Sequence, residues 1–158
     1  MPLPPRTQGV NLSRQRLRAY TRPMENLALP ADFDAIARNL AGDEDLCFAI
    51  LFGSVATGRA GSASDLDVAV FATEPLSAER KIALIARLAE LSGRPVDLLD
   101  LRTAGVLVTR EALTKGRLLF CRDRRAYGEL AARMVTDAAD FLPYVERLLR
   151  ERRNAWIG

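Results

Sequence analysis

Two apolar runs bracket a stretch of small and polar residues in the middle of this chain. Leu46-Cys47-Phe48-Ala49-Ile50-Leu51-Phe52 leads into Gly53-Ser54. A loop holding Gly58 and Gly61 follows, and Asp65-Leu66-Asp67 opens the second run, which continues to Ala72. The pattern predicts strands over Leu46–Phe52 and Leu66–Ala72 joined by a tight small-residue connection. Strand side chains alternate between faces, so Asp65 and Asp67 share one face with Cα atoms roughly 6.5–7 Å apart. Carboxylates about 5 Å apart at an effective dielectric near 20 would repel by roughly 3 kcal/mol. The immediate neighbours Ser64, Leu66 and Val68 carry no charge to offset this, whereas a divalent cation would reverse its sign. The segment reads as a phosphate-cradling turn facing a metal-binding carboxylate pair.

Composition narrows the chemistry. With 158 residues, 49% of them hydrophobic, the chain is long enough for one domain with a core. No apolar run approaches the ~20 residues of a membrane span, and Met-Pro-Leu-Pro-Pro-Arg lacks the apolar centre of a secretory signal. Cys47 and Cys121 are too few for a disulfide framework and read as reduced, buried thiols, so a cytoplasmic location is expected. There is no histidine. That excludes Ser-His and Cys-His catalysis and imidazole-built zinc sites, and leaves general-base work to a carboxylate.

The net charge of +3 is unevenly placed. Arg6, Arg14, Arg16, Arg18 and Arg22 precede the first acid, Glu25, and the remaining 18 basic residues face 20 acidic ones. The body therefore offers no electrostatic footprint for nucleic acid. Residues 1–23 read as a basic, disordered arm, with Met24 as an alternative start and 24–158 as the domain. An arm that touches an acidic partner is the other reading.

The remaining pattern gives an element order. A helix is expected over Pro30 to Ala41, and a short one just after Gly53-Ser54. Ser77 caps a helix ending near Gly93, with an apolar stripe of Ile82, Ile85, Leu88, Ala89 and Leu91. A third strand spans Pro95 to Leu101, Thr103 caps a helix ending at Gly116, and Arg117 to Cys121 forms an edge strand. A long helix from Asp123 to Arg153 is bent at Pro143. The expected fold class is α/β: one domain, with a small mixed sheet and helices mainly on one side.

Gly53-Ser54, ten intervening residues and Asp65-Leu66-Asp67 resemble the signature of the DNA polymerase β-like nucleotidyltransferases, at the spacing of the minimal nucleotidyltransferase (MNT) domains. Pro95-Val96-Asp97-Leu98 looks like the strand that carries the family's third carboxylate. Lys115-Gly116-Arg117-Leu118-Leu119-Phe120 is similar to the end of the MntA-like antitoxins, which pair with HEPN-domain toxins. The resemblance covers residues 30–125 and implies a polymerase β palm-like fold. Asp100 shares the short strand with Asp97 but has the opposite parity, so the two face opposite sides of the sheet. Val96 and Leu98 flank Asp97, which favours it as the third acid.

The resemblance implies transfer of AMP from ATP to a hydroxyl. Asp65, Asp67 and Asp97 would hold two Mg²⁺ (or Mn²⁺) ions, and Asp97 would take the acceptor proton. Gly53 would let the backbone approach the triphosphate, and Ser54 would donate to its outer phosphates. Ser64 lies at the nucleotide end but reads better as a brace for the turn. Many relatives carry arginine where this chain has Val55 and Thr57, which leaves Arg59 as the nearby cation for the phosphates. Larger members of the resembled superfamily append a domain that holds the acceptor; here only the Asp123 to Arg153 helix is expected after the core, so the acceptor is expected on a partner, a tyrosine of a HEPN ribonuclease toxin. Leu130, Met134, Ala138, Phe141, Leu142, Val145 and Leu149 form a stripe that covers the sheet or docks that partner, with Trp156 and Ile157 beyond it. The alternatives are a small-molecule, antibiotic-type nucleotidyltransferase and an antitoxin that neutralises by binding alone.

Overall fold

The computed structural model of the chain describes residues 31–61 and 64–137. The basic arm, Pro143 and the stripe from Ala138 onward lie outside the described residues. Among the described residues the elements run in the order α1 (Ala31–Ala41), β1 (Leu46–Phe52), α2 (Gly53–Ala56), β2 (Leu66–Ala72), α3 (Ala78–Ser92), β3 (Val96–Asp100), α4 (Val106–Lys115), β4 (Arg117–Cys121) and a helix over 124–137, here α5.

The strands form one mixed sheet in the order β3-β2-β1-β4. β1 runs antiparallel to both neighbours, while β2 and β3 are parallel through the α3 crossover. This is the expected α/β domain with a small mixed sheet. β1 is buried along its whole length and β2 nearly so, as continuous apolar runs require in the middle of a sheet.

Two apolar clusters, one on each side, hold the layers together. Ile36 and Leu40 of α1 and Leu84 and Leu88 of α3 pack on Ala49, Leu51, Leu66, Val68, Val70 and Leu98. Ala112 and Leu113 of α4, with Leu130, Ala131 and Met134 of α5, pack on Ile50, Phe52, Ala69 and Phe71. The helices are thus divided more evenly between the faces than expected. Leu130 and Met134 belong to the domain's own core, which settles the inward reading for that part of the stripe.

Local capping fixes the ends of α3. Ser77 Oγ accepts from Arg80 N–H, and Gly93 closes the helix at φ 65°. Its buried face differs from the expected stripe, because Ile82 is 67% exposed and Leu91 43%, while Leu84 is buried. Gly105 rather than Thr103 occupies the cap position of α4. Thr103 instead donates its hydroxyl to the Asp100 carbonyl.

Arg122 has no sequence signal, yet it holds the turn between α1 and β1. Its guanidinium donates to the carbonyls of Ala41, Asp43, Glu44 and Leu46. Among the described residues no helix is long and apolar enough to cross a membrane.

Candidate active site

The chemistry-bearing residues gather where β1 ends and β2 and β3 begin. Phe52 pairs with Asp67 across β1 and β2, and Asp67 pairs with Asp97 across β2 and β3. Asp65 precedes Leu66, the first residue of β2. Alternation places Asp65, Asp67 and Asp97 on the face whose next positions along the strands, Ala69, Phe71 and Leu99, pack under α4 and α5. The structure therefore brings the three predicted acids to one end and one face of the sheet.

Asp67 is half-buried, and Asp65 and Asp97 are exposed. None of the three makes an ion pair or hydrogen bond with a described residue. Burial pushes the Asp67 carboxyl above the usual range, and the negative charges of Asp97, Asp65 and Glu111 add to it. Among the described residues no three acidic or thiol side chains converge tightly enough to form a ready metal cage. The donor chemistry nonetheless fits a hard divalent cation: the groups are all carboxylates, and they repel one another.

Asp100 has a different task. It is 2% exposed, its Oδ2 accepts from Leu76 N–H at 2.9 Å and its Oδ1 from Arg102 N–H at 3.0 Å. Its side chain thus splices β3 to the segment leading into α3, on the opposite face from Asp97.

The turn beside the acids is built around Gly53, whose φ is +71°. A Cβ at this position would lie 2.0 Å from Asp67 Oδ2, so glycine is required both by conformation and by the carboxylate against it. Ser54 follows at the surface in α2, with its hydroxyl free of described partners. Arg59 is exposed, and its backbone N–H donates to the Ser54 carbonyl at 3.0 Å, which ties the loop back to the turn.

Ser64 acts on the loop. Its Oγ accepts from Gly61 N–H at 2.9 Å, and its own N–H donates to Gly61 O at 3.2 Å. Arg94 completes this brace by donating from Nη1 to the carbonyls of Gly61 and Ser64. The sequence carries no motif that marks Arg94, which arrives from the end of α3. Glu111 was likewise not expected; it reaches the site because α4 packs against α2 and β1.

Against this geometry the comparisons are informative. Residues 34–125 match the family model described as Polymerase beta, Nucleotidyltransferase. The chain belongs to this nucleotidyltransferase family. The match begins in α1 and ends just after β4, so it contains the whole sheet and every residue of the site.

A curated relative, the Protein adenylyltransferase MntA of Shewanella oneidensis, is 36% identical over 70 residues, or 44% of this chain. The match spans 50% of that relative's length. Solved structures give the same fold. A toxin–antitoxin crystal structure with AMP-PNP superposes with a TM-score of 0.68 at 22% identity, covering 78% of this chain and 99% of the other. An MNT antitoxin in complex with the tri-AMPylated Shewanella oneidensis HEPN toxin gives 0.64 at 22% identity, covering 77% of this chain and 97% of the other.

Proposed function

We propose that this chain transfers AMP from ATP to a protein hydroxyl, the acceptor being a tyrosine of a cognate HEPN ribonuclease toxin, and that it thereby acts as an antitoxin. The observation that carries the reading is the juxtaposition of Asp65, Asp67 and Asp97 with the Gly53-Ser54 turn inside a nucleotidyltransferase-family fold. The sequence relative named as a protein adenylyltransferase supports the choice of AMP and of a protein acceptor.

The roles follow from the geometry. Gly53 has no side chain where one would collide with the Asp67 carboxylate, so the turn and the acid lie side by side at the end of the sheet where a triphosphate would bind. Ser54 presents a free hydroxyl and its N–H to anionic oxygens. Ser64 and Arg94 hold the loop that delivers Asp65. Asp65, Asp67 and Asp97 would hold two Mg²⁺ ions (Mn²⁺ as a substitute), which supply charge neutralisation on the triphosphate and acidify an acceptor hydroxyl. Asp97, exposed on the edge strand, would receive the acceptor proton as the acceptor oxygen bonds to the α-phosphorus and the α–β phosphoanhydride bond breaks, releasing pyrophosphate. Orientation of the acceptor falls to the partner protein, and such orientation is worth roughly 7–11 kcal/mol of barrier.

The test is to co-purify the chain with a HEPN protein encoded beside it, add ATP and Mg²⁺, and weigh the partner by mass spectrometry. An added AMP on a tyrosine, absent with the Asp65→Asn/Asp67→Asn/Asp97→Asn variant, is the expected result. Full neutralisation of an unmodified toxin by that variant would establish binding-only action. Robust modification of an aminoglycoside would establish a small-molecule enzyme.

A further inference from the structure

The phosphate turn needs positive charge, and its neighbours Val55 and Thr57 supply none. A lysine outside the signature does. α4 ends at Lys115, and the next residue is pressed onto β1: a Cβ on Gly116 would lie 3.0 Å from the Leu51 carbonyl. Leu51 pairs with Arg117 and stands two residues before Gly53. α4 also packs on α2, the helix that carries Ser54. Lys115 is therefore anchored at the same end of the sheet as the turn, with a flexible four-carbon side chain.

Its present partner is weak. Lys115 Nζ stands 3.9 Å from Glu111 Oε1, one helical turn back, with the two side chains 66% and 49% exposed. An exposed pair of this kind holds only weakly. Glu111 in turn lies within electrostatic reach of Asp67, so the pair stands beside the catalytic acids rather than on a remote surface. Arg94, at this end too, is committed to two carbonyls of the loop.

We infer that Lys115 leaves Glu111 to bind the outer phosphates of the nucleoside triphosphate, adding to Arg59 the cation that the turn itself lacks. This rests on the nucleotidyltransferase reading given above. Glu111 parks the lysine when no nucleotide is bound and opposes a triphosphate by its own charge. No bond is made or broken in this exchange; one ion pair replaces another, and the new one carries more negative charge.

Nucleotide titration of the full chain with Mg²⁺, read by calorimetry, tests the assignment with ATP, ADP and AMP as probes. Lys115→Met should weaken ATP and ADP binding by about tenfold, the scale of one charge-assisted hydrogen bond, and leave AMP binding unchanged. Lys115→Arg should restore most of the loss, and Glu111→Gln should tighten ATP binding by roughly two- to fivefold. Equal ATP affinity in wild type and Lys115→Met would overturn the role of Lys115 alone. Parallel loss of ATP and AMP would overturn its assignment to the outer phosphates. A wild-type chain that binds no nucleotide would overturn the functional reading beneath it.

Discussion

The carboxylate of Asp67 stands directly against the bare Cα of Gly53, with Oδ2 only 2.0 Å from where a Cβ would be. Two predicted site residues, one in the turn after β1 and one on β2, are thus mutually dependent: the turn keeps its left-handed conformation, and the acid keeps its place, only while residue 53 has no side chain. Gly53→Ala should cost about 1–3 kcal/mol through the positive φ and the collision together. It should also abolish nucleotide binding. Thermal melting and nucleotide titration check the two effects separately.

Asp67 itself should be a source of instability in the absence of cations. Burial and three neighbouring negative charges raise its affinity for a proton in the folded state. The folded chain therefore binds that proton more tightly than the unfolded chain does, and this contribution improves stability as pH falls through the carboxylate range and is lost as pH rises. Asp67→Asn should raise the cation-free melting temperature at neutral pH, flatten its fall as pH rises above the ordinary aspartate range, and eliminate transfer.

Asp97 and Asp100 should separate cleanly by kind of defect. Asp97→Asn leaves an exposed group on an edge strand, so transfer should be lost with stability within about 0.5 kcal/mol of wild type. Asp100→Ala strands the N–H groups of Leu76 and Arg102, and should cost about 1–3 kcal/mol while the surviving folded protein still binds nucleotide. Denaturant unfolding and AMP transfer measured on both variants decide this.

The α3 face gives a test of packing alone. Leu84→Ala should destabilise by about 2–5 kcal/mol. Ile82→Lys, at a position 67% exposed, should leave the melting temperature of the isolated chain nearly unchanged.

These contrasts show what the sequence made legible. Leu46–Phe52, Leu66–Ala72 and Arg117–Cys121 could be read to the residue because apolar runs bounded by glycine, aspartate or arginine have few alternatives. Ser77 and Gly93 marked α3 because caps are local chemistry. The phase of α3 was not readable: Leu84 and Ile82 are both apolar at helical spacing, and which one is buried depends on how the helix lies across β2 and β3. The Gly53, Asp65 and Asp67 cluster was visible because the residues are close in sequence. Arg94 and Glu111 were invisible at the site, since one follows α3 and the other lies in α4, outside the signature, and only packing brings them there. Arg59 stays beside the turn, as its distance along the chain alone would suggest.

Arg122 bears on the order in which this protein can be made. Its guanidinium clasps carbonyls from 76 to 81 residues earlier, and it follows directly on β4, the last strand to be synthesised but the neighbour of the first. A ribosome that has released β1, β2 and β3 has delivered all three acids, yet β1 still has one open edge and an untied entry turn. Closing that edge must wait for β4, and tying the turn for Arg122, so both steps are long-range ones with a high entropic cost. A nascent chain paused before residue 122 should then be protease-sensitive around Ala41–Leu46, even though its catalytic residues have already emerged.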